Sequence, residues 1–153
     1  MNYWLLKTEP AVFGMDHLER RPNRTERWDG VRNYEARNFL RAMRPGDRAF
    51  LYHSNCAQPG IAGIVRIART AYPDLTACDR RSPYFDPKSD PARPRWFCVG
   101  VTLERRLQRE IGLAELKGEA ALAGFRLLKR GNRLSVLPVS TAQWRHILAM
   151  EKT

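Results

Sequence analysis

Three groups of side chains in this 153-residue sequence have types that could do chemistry: the pair His53-Ser54, the thiol of Cys98, and a cluster of Trp28, Asn33 and Arg37. His53-Ser54 could be a nucleophile beside its base. Neighbours on a strand point to opposite faces, however, so each would need partners that no spacing in the chain supplies. Cys98 lies in the apolar run FCVGV, which suits a packed core thiol better than a nucleophile. No P-loop, GxGxxG, HExxH or paired CxxC occurs, and His17 and His146 read as surface residues. Neither a catalytic residue nor a cofactor nor a metal site is expected.

The third group is the informative one. In WDGVRNYEARNFLRAM, residues 28–43, an indole, an amide and a guanidinium gather where a helix begins. Asn33 and Arg37 are four apart and share a helical face, and Trp28 precedes them on a tight Asp29-Gly30 turn. Such a set suits a flat heterocycle: the ring stacks on a base, the amide reads its edge, and the arginine takes a phosphate. Two plainer readings stand beside this one. Trp28 could equally be a core indole, and Asn33 is also a natural helix cap.

The charge balance agrees with a polyanionic partner. Twenty-seven basic against sixteen acidic residues give a net +11, spread along the chain with no basic tail. Arginine outnumbers lysine 22 to 5, a bias that a GC-rich genome also produces. Three cysteines, 22 and 20 residues apart, fit neither a disulfide framework nor a metal knuckle, so reduced thiols and a cytoplasmic location are expected. No apolar run approaches the ~20 residues of a membrane span, and the first residues read as a strand, not a signal peptide.

The elements that must position these residues follow from periodicity. Residues 3–9 read as a strand ending at Pro10, residues 16–21 as a helical turn, and residues 22–27 as a polar loop. A helix opens at Asn33 with Ala36, Phe39, Leu40 and Met43 as its buried face, and Pro45-Gly46 stops it. Strands are expected at 48–54, 61–68, 96–107 and 133–140, with a short helix at 113–118. Residues 71–95 form a long irregular segment holding five of the ten prolines. Ser140 and Gln143 form a capping box for a last amphipathic helix carrying Trp144, Ile147 and Leu148. The pattern predicts one α+β domain built on a small mixed barrel.

YWLLKTEP, WDGVRNYEARNFLRAM, GD, YHSN, PGIAGIVRI, AYPD, YFDP, PRW and RLSVLPVS, in this order, resemble the EVE domain. Within it they look most like the group of the thymocyte nuclear protein and its bacterial relatives, from residue 3 to about 148. The resemblance implies a PUA-like fold, a strongly bent barrel with flanking helices, over a single domain of residues 1–153. It implies a non-enzymatic, base-flipping reader of a modified base in nucleic acid, chiefly a modified cytosine in DNA. The alternative is a PUA-type RNA-binding module that recognises shape and phosphates without a base pocket.

Transferred position by position, the resemblance puts Lys7, Thr8, Trp28, Asn33, His53, Ser54 and Ser135 in the base pocket. Arg32, Arg37 and Arg133 would meet the backbone phosphates, and Tyr84 and Trp96 would form the rim. Two places depart from the family pattern. Phe13-Gly14 stands where a Tyr-Ser pair is usual, and Leu137 occupies a place commonly held by glutamine.

Overall fold

Tyr3–Thr8 (β1) and Arg48–His53 (β3) are apolar-rich segments whose middle residues, 4–6 and 49–52, are buried. Strands buried on both faces suit parallel pairing. These two run parallel in register from Tyr3↔Arg48 to Thr8↔His53. The computed structural model describes residues 1–153.

Around this pair the chain builds one mixed sheet from β2 (Thr25–Trp28), β4 (Gly60–Pro73), β5 (Phe97–Gly112) and β6 (Val136–Val139). The strand order is β2-β5-β4-β3-β1-β6, and every pairing except β1–β3 is antiparallel. The register of β4 against β5 shifts at four places between Ile61 and Tyr72. Each such irregularity bends and twists the strand that carries it. Residues from β2 at one end of the order and from β1, one strand short of the other end, line the same cavity, so the sheet curls almost onto itself. The fold is α+β, as the sequence predicts.

Four helices cover the curl: α1 (Met15–Glu19), α2 (Tyr34–Ala42), α3 (Leu113–Lys117) and α4 (Thr141–Met150). Both predicted caps form. Asn33 Oδ1 accepts the Ala36 N–H at 2.9 Å, and Ser140 and Gln143 exchange side-chain-to-backbone bonds at 3.1 and 2.9 Å. The core is sealed by Trp144, whose ring stacks on Phe50 at 3.9 Å and on Tyr3 at 4.4 Å between centroids.

The sequence-based expectations differ from the structure in three places. Residues 25–27, expected as part of a polar loop, join Trp28 to form β2 on the edge of β5, because one buried indole suffices to anchor an otherwise polar strand. The strands predicted at 61–68 and 96–107 run on to Pro73 and Gly112, since bulges carry the pairing past the end of the apolar run. The last strand is shorter than expected, Val136–Val139.

Candidate nucleic-acid interface

The parallel pairing brings the ends of β1 and β3 side by side, and the start of the β6 segment joins them through Lys7 N–H donating to Ser135 O at 2.8 Å. Ser54 N–H donates to Thr8 O at 2.9 Å. Lys7, Thr8, Ser54, Arg133 and Ser135 thus form one side of a cavity of about 640 Å³. The opposite side is Glu26, Arg27, Trp28, Asp29 and Gly30, from β2 and the turn after it. The volume falls within the range of small-molecule pockets, ~300–1,000 Å³.

Three aromatic rings face this space. Trp28 is 7% exposed, and its backbone is held against Val99 of β5. It belongs to the core and forms part of the cavity wall at once. Phe13 meets it edge-on, with centroids 6.2 Å apart and planes at 81°. Tyr84 lies over Gly30, whose φ of +80° and lack of a side chain allow the approach; a Cβ there would sit 2.7 Å from Tyr84 Cε1.

Four cations and three carboxylates line the cavity. Arg21 pairs with Glu26 at 2.7 Å and Arg27 with Asp29 at 3.0 Å. Glu9, which is exposed, accepts from Asn55 Nδ2 at 2.7 Å. Lys7 and Arg133 have no carboxylate within ion-pair distance, so they are the cations open to an anion. Burial lowers the Lys7 pKa.

Of the residues proposed from sequence for the site, Lys7, Thr8, Trp28, Ser54, Ser135, Arg133 and Tyr84 come together here. The others sit elsewhere, each for a visible reason. Asn33 is exposed and its Oδ1 is committed to capping α2. His53, the last residue of β3, does not line the cavity, and its Nε2 accepts the Met15 N–H at 3.3 Å. Burial lowers its pKa.

Arg37 reaches across to Arg95 O at 3.0 Å and lies over the Tyr34 ring. Trp96 donates its indole N–H to Asp86 at 2.7 Å and stacks on Tyr34, anchoring the proline-rich segment to α2. Arg32 is the clearest relocation. Its five N–H groups go to Tyr84 O (3.0 and 2.7 Å), Val31 O (2.9 Å), Asp74 Oδ2 (3.1 Å) and Thr76 Oγ1 (3.2 Å). No donor is left over for a phosphate. Asp74 also receives the Gly30 N–H at 2.9 Å. Burial pushes its pKa up, but the Thr76 hydroxyl, the Gly30 amide and the Arg32 guanidinium outweigh that and leave it below the usual carboxylate range.

The two departures from the family pattern fall in different environments. Phe13 lines the cavity and adds an aromatic edge. Leu137 is buried opposite Leu5 and contributes packing, away from the cavity. Sequence reasoning also passed over Asp29 and Arg27 as cavity residues; their only signal was contiguity with Trp28 in RWDG. Burial pushes the Cys98 thiol up to about 11, which keeps it protonated at neutral pH.

The chain belongs to the EVE domain family, whose model matches residues 2–150. Among named relatives, thymocyte nuclear protein 1 from Mus musculus is 43% identical over 169 residues, covering 99% of this chain and 74% of its own length. A crystal structure of a Pseudomonas putida protein superposes with a TM-score of 0.94 at 49% identity, over 97% of this chain and 99% of that one. The human THYN1 protein in complex with DNA containing 5-methylcytosine gives a TM-score of 0.94 at 39% identity, over 100% of this chain and 99% of that one. No helix here is long and apolar enough to cross a membrane. The relatives' name describes a nuclear protein, which lends the expected cytoplasmic location no support.

Proposed function

We propose that this protein is a non-enzymatic reader that takes an extruded modified base, a modified cytosine in DNA, into the cavity walled by Trp28. The observation that carries the reading is the cavity itself: a 640 Å³ space bounded by Trp28, Phe13 and Tyr84, with the unpaired cations Lys7 and Arg133 beside it. The THYN1 complex with 5-methylcytosine DNA, a structure of the same fold, supports it. His53 Nε2 is engaged by a backbone amide and Cys98 is a buried thiol, so neither is poised to attack a substrate.

The energetics decide which contacts matter. Extruding a base from a duplex costs a few kcal/mol, and one aromatic stack returns about 1–3. Trp28 alone therefore brings binding only near break-even. Lys7 and Arg133 must hold the strand, and discrimination must come from the cavity wall, where a methyl group against an apolar surface contributes roughly 1–3 kcal/mol.

The test is fluorescence anisotropy with oligonucleotides carrying one cytosine, 5-methylcytosine or 5-hydroxymethylcytosine, single- and double-stranded, at two salt concentrations. Trp28→Leu, checked by urea denaturation, should weaken binding of the preferred base about 5- to 150-fold. Arg133→Ala should weaken all sequences alike and reduce the log–log salt slope by about 1. Salt-labile binding that ignores the modification and survives Trp28→Leu would refute the reader and leave a shape-reading, RNA-type backbone binder.

A further inference from the structure

We propose that Asp29 selects bases carrying an exocyclic amino group, cytosine derivatives over thymine, by accepting that amino group's hydrogen; the proposal rests on the base-binding reading above. Asp29 follows the cavity-wall indole directly and itself lines the cavity. Its Oδ2 accepts Arg27 Nε at 3.0 Å, whereas Oδ1 has no protein donor. The turn that carries it is fixed from below, where Asp74 holds the Gly30 N–H at 2.9 Å.

The other two carboxylates at the cavity are differently disposed. Glu26 is satisfied at both oxygens, by Arg21 Nε at 2.7 Å and by the Arg27 N–H at 2.9 Å. Glu9 is exposed, where water satisfies it. Asp29 has a side chain only 22% exposed and an oxygen still open. Burial, and then the nearby Asp74 charge, raise its pKa. An N–H from a ligand entering the cavity would take the place of water at that oxygen.

The base edges then differ in sign. Cytosine presents an amino donor at position 4, which a carboxylate accepts; thymine presents a carbonyl there, and two acceptors would face one another. The 5-methyl group is common to 5-methylcytosine and thymine, so the methyl-contacting wall cannot tell them apart. Asp29 can.

The experiment compares single-stranded oligonucleotides identical except for one 5-methylcytosine or one thymine, so that base-pairing cost does not enter. The natural protein should favour 5-methylcytosine by about 5- to 150-fold. Asp29→Asn keeps an oxygen for Arg27 and turns an amide N–H donor to the base, which suits the thymine carbonyl better than the cytosine amino group, so the ratio should fall to one or below. Asp29→Ala should bring the ratio towards one by removing the acceptor, and each variant is checked by urea denaturation. A natural protein that binds both oligonucleotides equally, or a preference unchanged in folded Asp29→Asn and Asp29→Ala, overturns the role of Asp29 while leaving the reader intact. Failure of the natural protein to bind the 5-methylcytosine strand at all would overturn the reader and this proposal with it.

Discussion

Replacing Arg32 with lysine keeps the charge and removes the fork, and the structure says how much that should matter. The guanidinium engages four acceptors, Tyr84 O, Val31 O, Thr76 Oγ1 and Asp74 Oδ2. An ammonium on a flexible stem can keep Asp74 and one neighbour. At about 1 kcal/mol net per lost bond, with the Tyr84 carbonyl losing two donors, Arg32→Lys should cost about 2–3 kcal/mol. For a chain of this size that is a fall in Tm of roughly 5–10 °C. Arg32→Ala should cost more, about 3–4 kcal/mol, because the Asp74 side chain is 1% exposed and would lose its cation. Urea denaturation at pH 7 gives both values. The Asp74 pKa is lowered in the folded state, so its contribution is complete above the unfolded value of about 3.9 and disappears as pH falls through the folded one. Both deficits should therefore narrow below pH 4. An Arg32→Lys protein within 0.5 kcal/mol of the natural one would refute the assignment of Arg32 as a structural clasp and return it to the pool of phosphate-binding arginines.

Two further outcomes are expected. Burial lowers the His53 pKa, so the folded state favours the neutral ring; the associated stability is complete above the unfolded pKa of about 6.5 and is lost as pH falls below it. His53→Gln should remove that part of the pH dependence between 7 and 5, followed by thermal unfolding across the range. Glu151 is gripped by Arg105 through bonds of 2.8 and 2.7 Å and by the Gln108 N–H at 2.8 Å, with Arg105 itself 43% exposed. Discounted for that exposure, Glu151→Gln should cost about 1–2 kcal/mol at pH 7, and because the folded Glu151 pKa is lowered, urea curves of the two proteins should draw together as pH falls below the unfolded value of about 4.3 and through the folded one.

Local chemistry made much of the fold legible. The Asn33 cap and the Ser140–Gln143 box are patterns of three or four adjacent residues, and both form as expected. The strand TERW was not legible, because its single buried side chain makes no alternating pattern and its partner, β5, lies some seventy residues on. The site was legible in part, for the same reason. Lys7, Trp28, Ser54 and Ser135 are named by the family resemblance, but their convergence is a product of the curled sheet. Arg32 and Arg133 look alike in the sequence. Only the acceptors around each show that one has every donor engaged and the other has none paired with a carboxylate. For the same reason the net charge overstates the cations available to a phosphate.

The cavity draws on strands far apart in the sheet order, β2 and β1, with lining residues running from Lys7 to Ser135. During synthesis the chain emerges from its first residue onwards, so Trp28 and Lys7 leave the ribosome long before the segment that completes the wall. A nascent chain is therefore a basic, aromatic-bearing polymer without the finished cavity, held beside a great excess of ribosomal RNA. The cavity is complete only once Arg133 and Ser135, just ahead of the last strand, are in place, so it belongs to the finished fold and to no shorter piece of it.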